Sequence, residues 1–280
     1  MNTLNHVRYV LSKNPLARVA SVAFAILVAL ALFGPSLVPY DPLATHVGPV
    51  LDAPSARHWF GTDHVGRDIF SRVIVAARLD LAIALGAVGL SLVCGVAIGC
   101  LAGFYGGWFD RLTGRVIDSI MAFPLFVLAM GIVSALGNTL ANVVYATALI
   151  NLPFYARLSR AEVAQCRRAE YVDAALLSGN SRPRVIFRHL LPNVLPTIAV
   201  QASLNLGWAV LNAAGLSFIG LGVRPPAAEW GIMVAEGAQY VVSGQWWGGF
   251  FPGLALMFAV LCFNFMGDGL RDVLDPRQRT

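Results

Sequence analysis

Six runs of about 20 residues are almost free of charge, and they constrain what this chain can become more than any other feature. They fall at about 19–39, 81–104, 115–136, 140–158, 194–216 and 249–267. A helix of about 20 apolar residues crosses the roughly 30 Å hydrocarbon core of a bilayer. Within that core each backbone N–H and C=O must be satisfied internally, so each run is expected to be a transmembrane helix. Composition agrees, with 57 % hydrophobic and 12 % charged residues, against about 25 % charged in an ordinary soluble domain. The expected fold is all-α and integral to the membrane. The first run follows a polar stretch and has no small-residue cleavage site before Pro35 and Pro39, so it reads as a retained anchor.

One stretch interrupts this pattern. Residues 157–193 hold Arg157, Arg160, Arg167, Arg168, Arg182, Arg184 and Arg188 together with Glu162, Glu170 and Asp173. Each arginine at the centre of a bilayer would cost roughly 2.5–3.5 kcal/mol, so this segment belongs in water. It is also much longer than the roughly 2–8 residues that join most helices, which implies a task of its own. Its interior reads as helix-turn-helix. Tyr171, Ala174, Ala175 and Ser178 recur at helical spacing on one mostly small face, open to close approach by another surface. Gly179 follows where a helix end favours positive φ. Ser181 stands as a cap for a second helix with Pro183 in its first turn, and Pro192 and Pro196 mark the return towards the membrane.

Charge asymmetry sets the expected orientation. With the N-terminus in the cytoplasm, the inside carries Arg8, Lys13, Arg18, Arg111, Arg115, the seven arginines above, Arg271, Arg277 and Arg279. The outside carries Arg57, Arg67, Arg72, Arg78 and Arg224. Both termini and the basic loop are therefore expected inside. The expected organisation is a cytoplasmic segment 1–18, a first transmembrane helix 19–39 and an extracytoplasmic segment 40–78. A five-helix core over 79–267 follows, carrying the loop 157–193, and then a cytoplasmic tail 268–280. The net charge of +5 sits in loops and reads as a membrane-orientation signal rather than a nucleic-acid footprint.

Familiar catalytic patterns are absent. No G-x-x-x-x-G-K-[ST] phosphate loop occurs, and Lys13 is the only lysine. There is no H-E-x-x-H and no G-x-S-x-G. Cys94, Cys100, Cys166 and Cys262 show neither metal-ligand spacing nor a disulfide framework. His58, Asp63, His64 and Asp68 raise the idea of a metal site, but spacing alone specifies no coordination geometry, and a hydrogen-bonded turn with Asp–Arg pairs is the preferred reading. Ile69 to Ala77 reads as a short helix leading into the second span, where Gly95 and Gly99 have the spacing of close helix packing. Pro225-Pro226 stops any helix, and Trp230, Tyr240, Trp246 and Trp247 after it suggest a re-entrant or surface helix. A transport role needs a polar path. Gln201, Asn205 and Asn212 share a helical face and either line such a path or bond helix to helix, and both readings stay open.

Four stretches carry a resemblance. Asp173-Ala174-Ala175, then Gly179, then Leu191-Pro192 has the spacing of the EAA loop of ABC-importer permeases, with Asp173 in place of Glu and His189 at the Ile position. HWFGTDHVGRDIFSR at 58–72, SFIGLGVRPPAAEWG at 217–231 and FPGLALMFAVLCFNFMGDGLRDVLDPR at 251–277 are similar to the dipeptide, oligopeptide and nickel branch of that family. The resemblance implies a type I importer permease with six transmembrane helices in a bacterial inner membrane. It implies coupling to an ATPase through Glu170, Tyr171, Asp173, Ala174, Ala175, Gly179, Arg182 and Pro192. Its implied partners are two ABC ATPase subunits, a second homologous permease subunit and an extracytoplasmic solute-binding protein. ATP and Mg would bind on the ATPases and no cofactor on this non-catalytic chain. The implied substrate is a di- or oligopeptide, with nickel or another small solute as the alternative. The rival readings are an ATP-independent channel or secondary transporter, and a membrane scaffold that binds a soluble partner.

Overall fold

The computed structural model describes residues 15–274, and every regular element among them is a helix. In chain order these are α1 (Pro15–Leu37), α2 (Ile69–Tyr105), α3 (Gly107–Met121), α4 (Leu125–Leu136) and α5 (Leu140–Cys166). Then come α6 (Glu170–Leu177), α7 (Arg182–Val185), a π-turn (Ile186–Leu190), α8 (Leu191–Phe218), α9 (Trp230–Ala238) and α10 (Trp247–Leu274). The expected segment 1–18 lies mostly outside the described residues, as does the tail beyond Leu274.

The six expected spans are matched only in part among the described residues. Four stretches are long and apolar enough to cross a bilayer: Arg18–Leu37, Ile69–Tyr105, Arg182–Phe218 and Trp247–Asp272. The expected short helix at 69–77 is continuous with the second span, because Asp68 caps its start by accepting the Ser71 N–H at 2.8 Å and the Ser71 hydroxyl at 2.7 Å. The third run is not one helix. It breaks before Pro124, which lacks the N–H a continuous helix needs, and α3 and α4 meet at 88°. The fourth run is α5, 27 residues long, capped by Thr139 and diluted by Asn142, Asn151, Arg157, Arg160 and Glu162. At the end of the sixth run, α10 continues as helix to Leu274 instead of stopping at a tail from residue 268.

The helix pair α2–α5 forms the spine. A Cβ on Gly95 would stand 2.8 Å from the Leu152 carbonyl oxygen, and one on Gly103 would stand 2.5 Å from that of Arg160. At Gly99 it would fall on the Ser159 hydroxyl and the Ala156 carbonyl. The glycine spacing read in the sequence is therefore a backbone-to-backbone crossing. Gly99→Leu is expected to cost about 3 kcal/mol, measured as a lower melting temperature in detergent; an unchanged melting temperature would contradict this packing. One core cluster links α1, α2, α5, the hairpin after α5, α8 and α10 through Leu27, Ala84, Tyr155, Val185, Ile198 and Phe263. A second seats α4 against α2, α5 and α8 through Ile83, Val133, Ile150 and Leu216.

α9 is buried at the N-terminal end of α2. Cβ atoms on Gly231 and Gly237 would strike the backbone of Ala214 and Gly248, and the Trp230 indole N–H donates to the Val73 carbonyl at 2.9 Å. Glu229 caps α9 by accepting the Ile232 N–H at 2.8 Å. Its carboxyl faces that of buried Asp80, and burial pushes it above the usual carboxylate range. Among the described residues Asp80 Oδ1 and Glu229 Oε1 have no hydrogen-bond partner.

Candidate functional site: the basic hairpin and the polar helix behind it

The hairpin after α5 sits at the end of the bundle opposite α9. α6 stops at Leu177, and Gly179 follows at φ 82°. The Gly179 N–H donates to the Leu176 carbonyl at 3.0 Å and the Asn180 N–H to that of Ala175 at 3.2 Å. This pair of bonds is a Schellman cap, which wants glycine where the backbone turns left-handed. Ser181 stands at the start of α7 with Pro183 behind it, although its side chain makes no capping bond. Val172, Ala175, Val185, Ile186 and Leu190 are buried in the main core cluster and fix the hairpin to the bundle. Asn193 donates to the Tyr171 hydroxyl at 3.1 Å, tying α6 to the start of α8.

Of the expected coupling residues, Glu170, Tyr171, Asp173, Ala174, Gly179, Arg182 and Pro192 are exposed, whereas Ala175 is buried. The face read from the spacing therefore divides: Tyr171, Ala174 and Ser178 look outward and Ala175 looks inward. Asp173 and Arg182 meet Phe104, Tyr105, Arg167 and Leu176 around a cleft of about 300 Å³. A Cβ at Gly179 would meet nothing within 4 Å, so the tip of the hairpin is open. Beside it, Leu177 is 89 % exposed, an apolar residue that sequence periodicity did not single out. Its signal was its place directly before the cap, where a side chain projects off the end of the helix.

From Arg182 to Phe218 the chain is one apolar rod of 37 residues, with the π-turn inside it. At 1.5 Å per residue it is about 55 Å long, so the hairpin and the membrane helix are mechanically one piece. Gln201, Asn205 and Asn212 lie on this rod and do not act as one face. Gln201 donates to Asn205 Oδ1 at 2.9 Å, and Asn205 is 4 % exposed. Asn212 is half-exposed and donates back to the Trp208 carbonyl at 2.8 Å.

At the far end of the bundle, Asp63 and Asp68 are held by Arg67, Arg72 and His58. His58 Nδ1 lies 2.9 Å from Asp68 Oδ1. Arg67 bonds both Asp63 and Glu236, the latter at 3.1 Å, and Arg72 lies 3.8 Å and 3.9 Å from the same two carboxylates. Asp63, His64 and Glu236 can bring ligand atoms within 4.8 Å of one another. Two guanidiniums already neutralise those two carboxylates, so a divalent cation there would face their positive charge. The Asp–Arg turn is what the structure contains.

A bundle of apolar helices with an exposed, core-anchored hairpin defines a membrane protein of the permease class. The chain belongs to the family of binding-protein-dependent transport system inner membrane components, which residues 95–280 match. Residues 4–54 match the N-terminal transmembrane domain of oligopeptide transport permease C. The dipeptide transport system permease protein DppC of Alkalihalophilus pseudofirmus is 43 % identical over 270 residues, covering 96 % of this chain and 88 % of its own. The nickel transport system permease protein NikC of Escherichia coli is also 43 % identical over 270 residues, covering 96 % and 97 %. The fold is shared with a chain of the inward-facing MetNI methionine ABC transporter, with TM-score 0.60 at 16 % identity over 74 % of this chain and 98 % of that one. The chain is a multi-pass inner-membrane permease subunit of an ABC importer.

Proposed function

We propose that this permease carries di- or oligopeptides, delivered by an extracytoplasmic binding protein, through a path it forms with a second, homologous permease subunit. Two ABC ATPase subunits bind ATP and Mg and hydrolyse the nucleotide; this chain supplies their docking surface and no catalytic group. The hairpin 170–190 and both termini face the cytoplasm, in keeping with the excess of arginine at that end. The observation that carries this reading is the hairpin itself. It is exposed and open at Gly179, yet buried at its root and continuous with α8.

The mechanism follows from that continuity. ATP binding closes the ATPase pair, and the docked α6–α7 hairpin moves with it. Because Arg182–Phe218 is one rod, displacement of the hairpin displaces α8 and its polar residues. ATP shifts the equilibrium by binding the two states unequally. We assign Asn212, half-exposed on α8, to the solute path. Asn212→Leu is expected to reduce uptake and leave the melting temperature unchanged, and undiminished uptake would remove Asn212 from the path.

The test is uptake by liposomes holding this chain with its partner subunits and binding protein. Accumulation of a labelled dipeptide that needs both ATP and the binding protein supports the proposal. Accumulation of Ni²⁺ under the same requirements selects the nickel alternative, which the equal identity to DppC and NikC keeps in view. Uptake without ATP overturns the coupled reading in favour of a channel or secondary transporter.

A further inference from the structure

At the hairpin end of the spine, the last turn of α2, the start of α3 and the end of α5 enclose a cavity of about 640 Å³. Its charged lining is Arg157, Arg160, Arg167, Arg168 and Asp110. Gly106 borders it, where a Cβ would stand 3.5 Å from the Arg167 guanidinium.

The charges do not cancel. Asp110 takes Arg160 in a two-pronged pair, one bond of which is 2.8 Å, and this pairing holds the Asp110 carboxyl below the usual range. Arg157 pairs with exposed Asp118 at 2.9 Å. Arg167 lies over the Phe104 ring at 5.7 Å from its centroid. Among the described residues, neither Arg167 nor Arg168 has a carboxylate within ion-pair distance. Two guanidiniums therefore face the cavity without acids, and guanidinium groups match phosphate oxygens in geometry and charge.

The surroundings indicate where that phosphate comes from. Tyr105, Trp108 and Phe109, which flank the lining residues Gly106 and Asp110 in the chain, are exposed, and such rings favour the membrane–water interface. Trp108, Leu112 and Val116 form an exposed apolar stripe along α3 at helical spacing. α3 meets α4 at 88°, the geometry of a helix lying along the bilayer surface before the chain turns into it. The arginines are thus at headgroup depth, beside an apolar surface suited to acyl chains. We propose that this cavity binds the phosphate headgroup of an anionic phospholipid, held by Arg167 and Arg168.

Native mass spectrometry of the assembled transporter, purified from nanodiscs of phosphatidylethanolamine and phosphatidylglycerol, tests this directly. The wild-type complex is expected to retain phosphatidylglycerol. Arg167→Gln with Arg168→Gln is expected to lower retention about tenfold or more, with the ATPase still bound and the complex still folded by melting temperature. Phosphatidylglycerol should raise the wild-type melting temperature more than that of the double variant, and millimolar inorganic phosphate should not reproduce the shift. Equal lipid retention by both proteins overturns the proposal. Displacement of the lipid effect by inorganic phosphate overturns it in favour of a free-anion site. Loss of the ATPase from the double variant overturns it in favour of a protein-docking patch.

Discussion

Gly179→Trp is expected to abolish ATP-driven uptake while leaving the amount of chain in the membrane unchanged. Gly179 adopts φ 82°, so any L side chain there carries backbone strain, about 1–2 kcal/mol. A folded domain with about 5–15 kcal/mol of stability absorbs that. A side chain at this position meets no atom of this chain, so the added indole projects from the hairpin into the space where an ATPase would dock. Gly179→Asn separates the two effects, because asparagine tolerates the left-handed region and adds little bulk. Uptake by the Asn variant should be largely retained. If Asn and Trp abolish uptake equally, backbone strain rather than docking is the cause. Normal uptake in Gly179→Trp would contradict coupling through this hairpin.

Arg72→Met is expected to cost about 3–5 kcal/mol, the largest stability effect in the molecule. Arg72 is 1 % exposed, so its partners lose it with no water to replace it. It donates to the carbonyls of Pro42 at 3.1 Å, Pro226 at 3.3 Å and Ala227 at 3.4 Å. It also shares Asp63 and Glu236 with Arg67. Methionine fills much of the volume but leaves three carbonyls without this donor and two carboxylates with a single cation. Arg72→Lys should recover little, since one ammonium cannot reach all these acceptors. The measurement is the melting temperature and monodisperse yield in mild detergent. Wild-type values for Arg72→Met would show that segment 40–68 is held to the helices by something else.

These two residues also mark how far the sequence can be read. Gly179 was legible because a cap is local: its position after a helical face and before Ser181 and Pro183 announces a left-handed turn. The apolar runs were legible for the same reason, since hydrophobicity over 20 residues needs no knowledge of neighbours. The role of Arg72 was not legible. It resembled an aqueous charge because its acceptors at Pro226 and Ala227 lie more than 150 positions away. Asp80 was hidden likewise, its partner Glu229 arriving with α9. Around that short helix the sequence displayed Trp230, Trp246 and Trp247 and suggested an interfacial position. The structure buries Trp230 and Trp247, because Gly231 and Gly237 let α9 press against α8 and α10. Pro124 was visible, yet proline alone sets no angle, and the 88° bend depends on how α3 and α4 pack. The spacing of Gln201, Asn205 and Asn212 placed them on one face, but packing buries the middle one and leaves Asn212 half-exposed.

Co-purification of the tagged chain in mild detergent, wild type beside Leu177→Arg, tests coupling through the hairpin most directly. Leu177 is exposed at the tip, and arginine there should not disturb the fold of this chain. Mass spectrometry of the wild-type eluate should find an ABC ATPase and a second permease, and the Leu177→Arg eluate should keep the permease and lose the ATPase. A wild-type chain that elutes without an ATPase, or a Leu177→Arg chain that keeps it in full, would contradict the account.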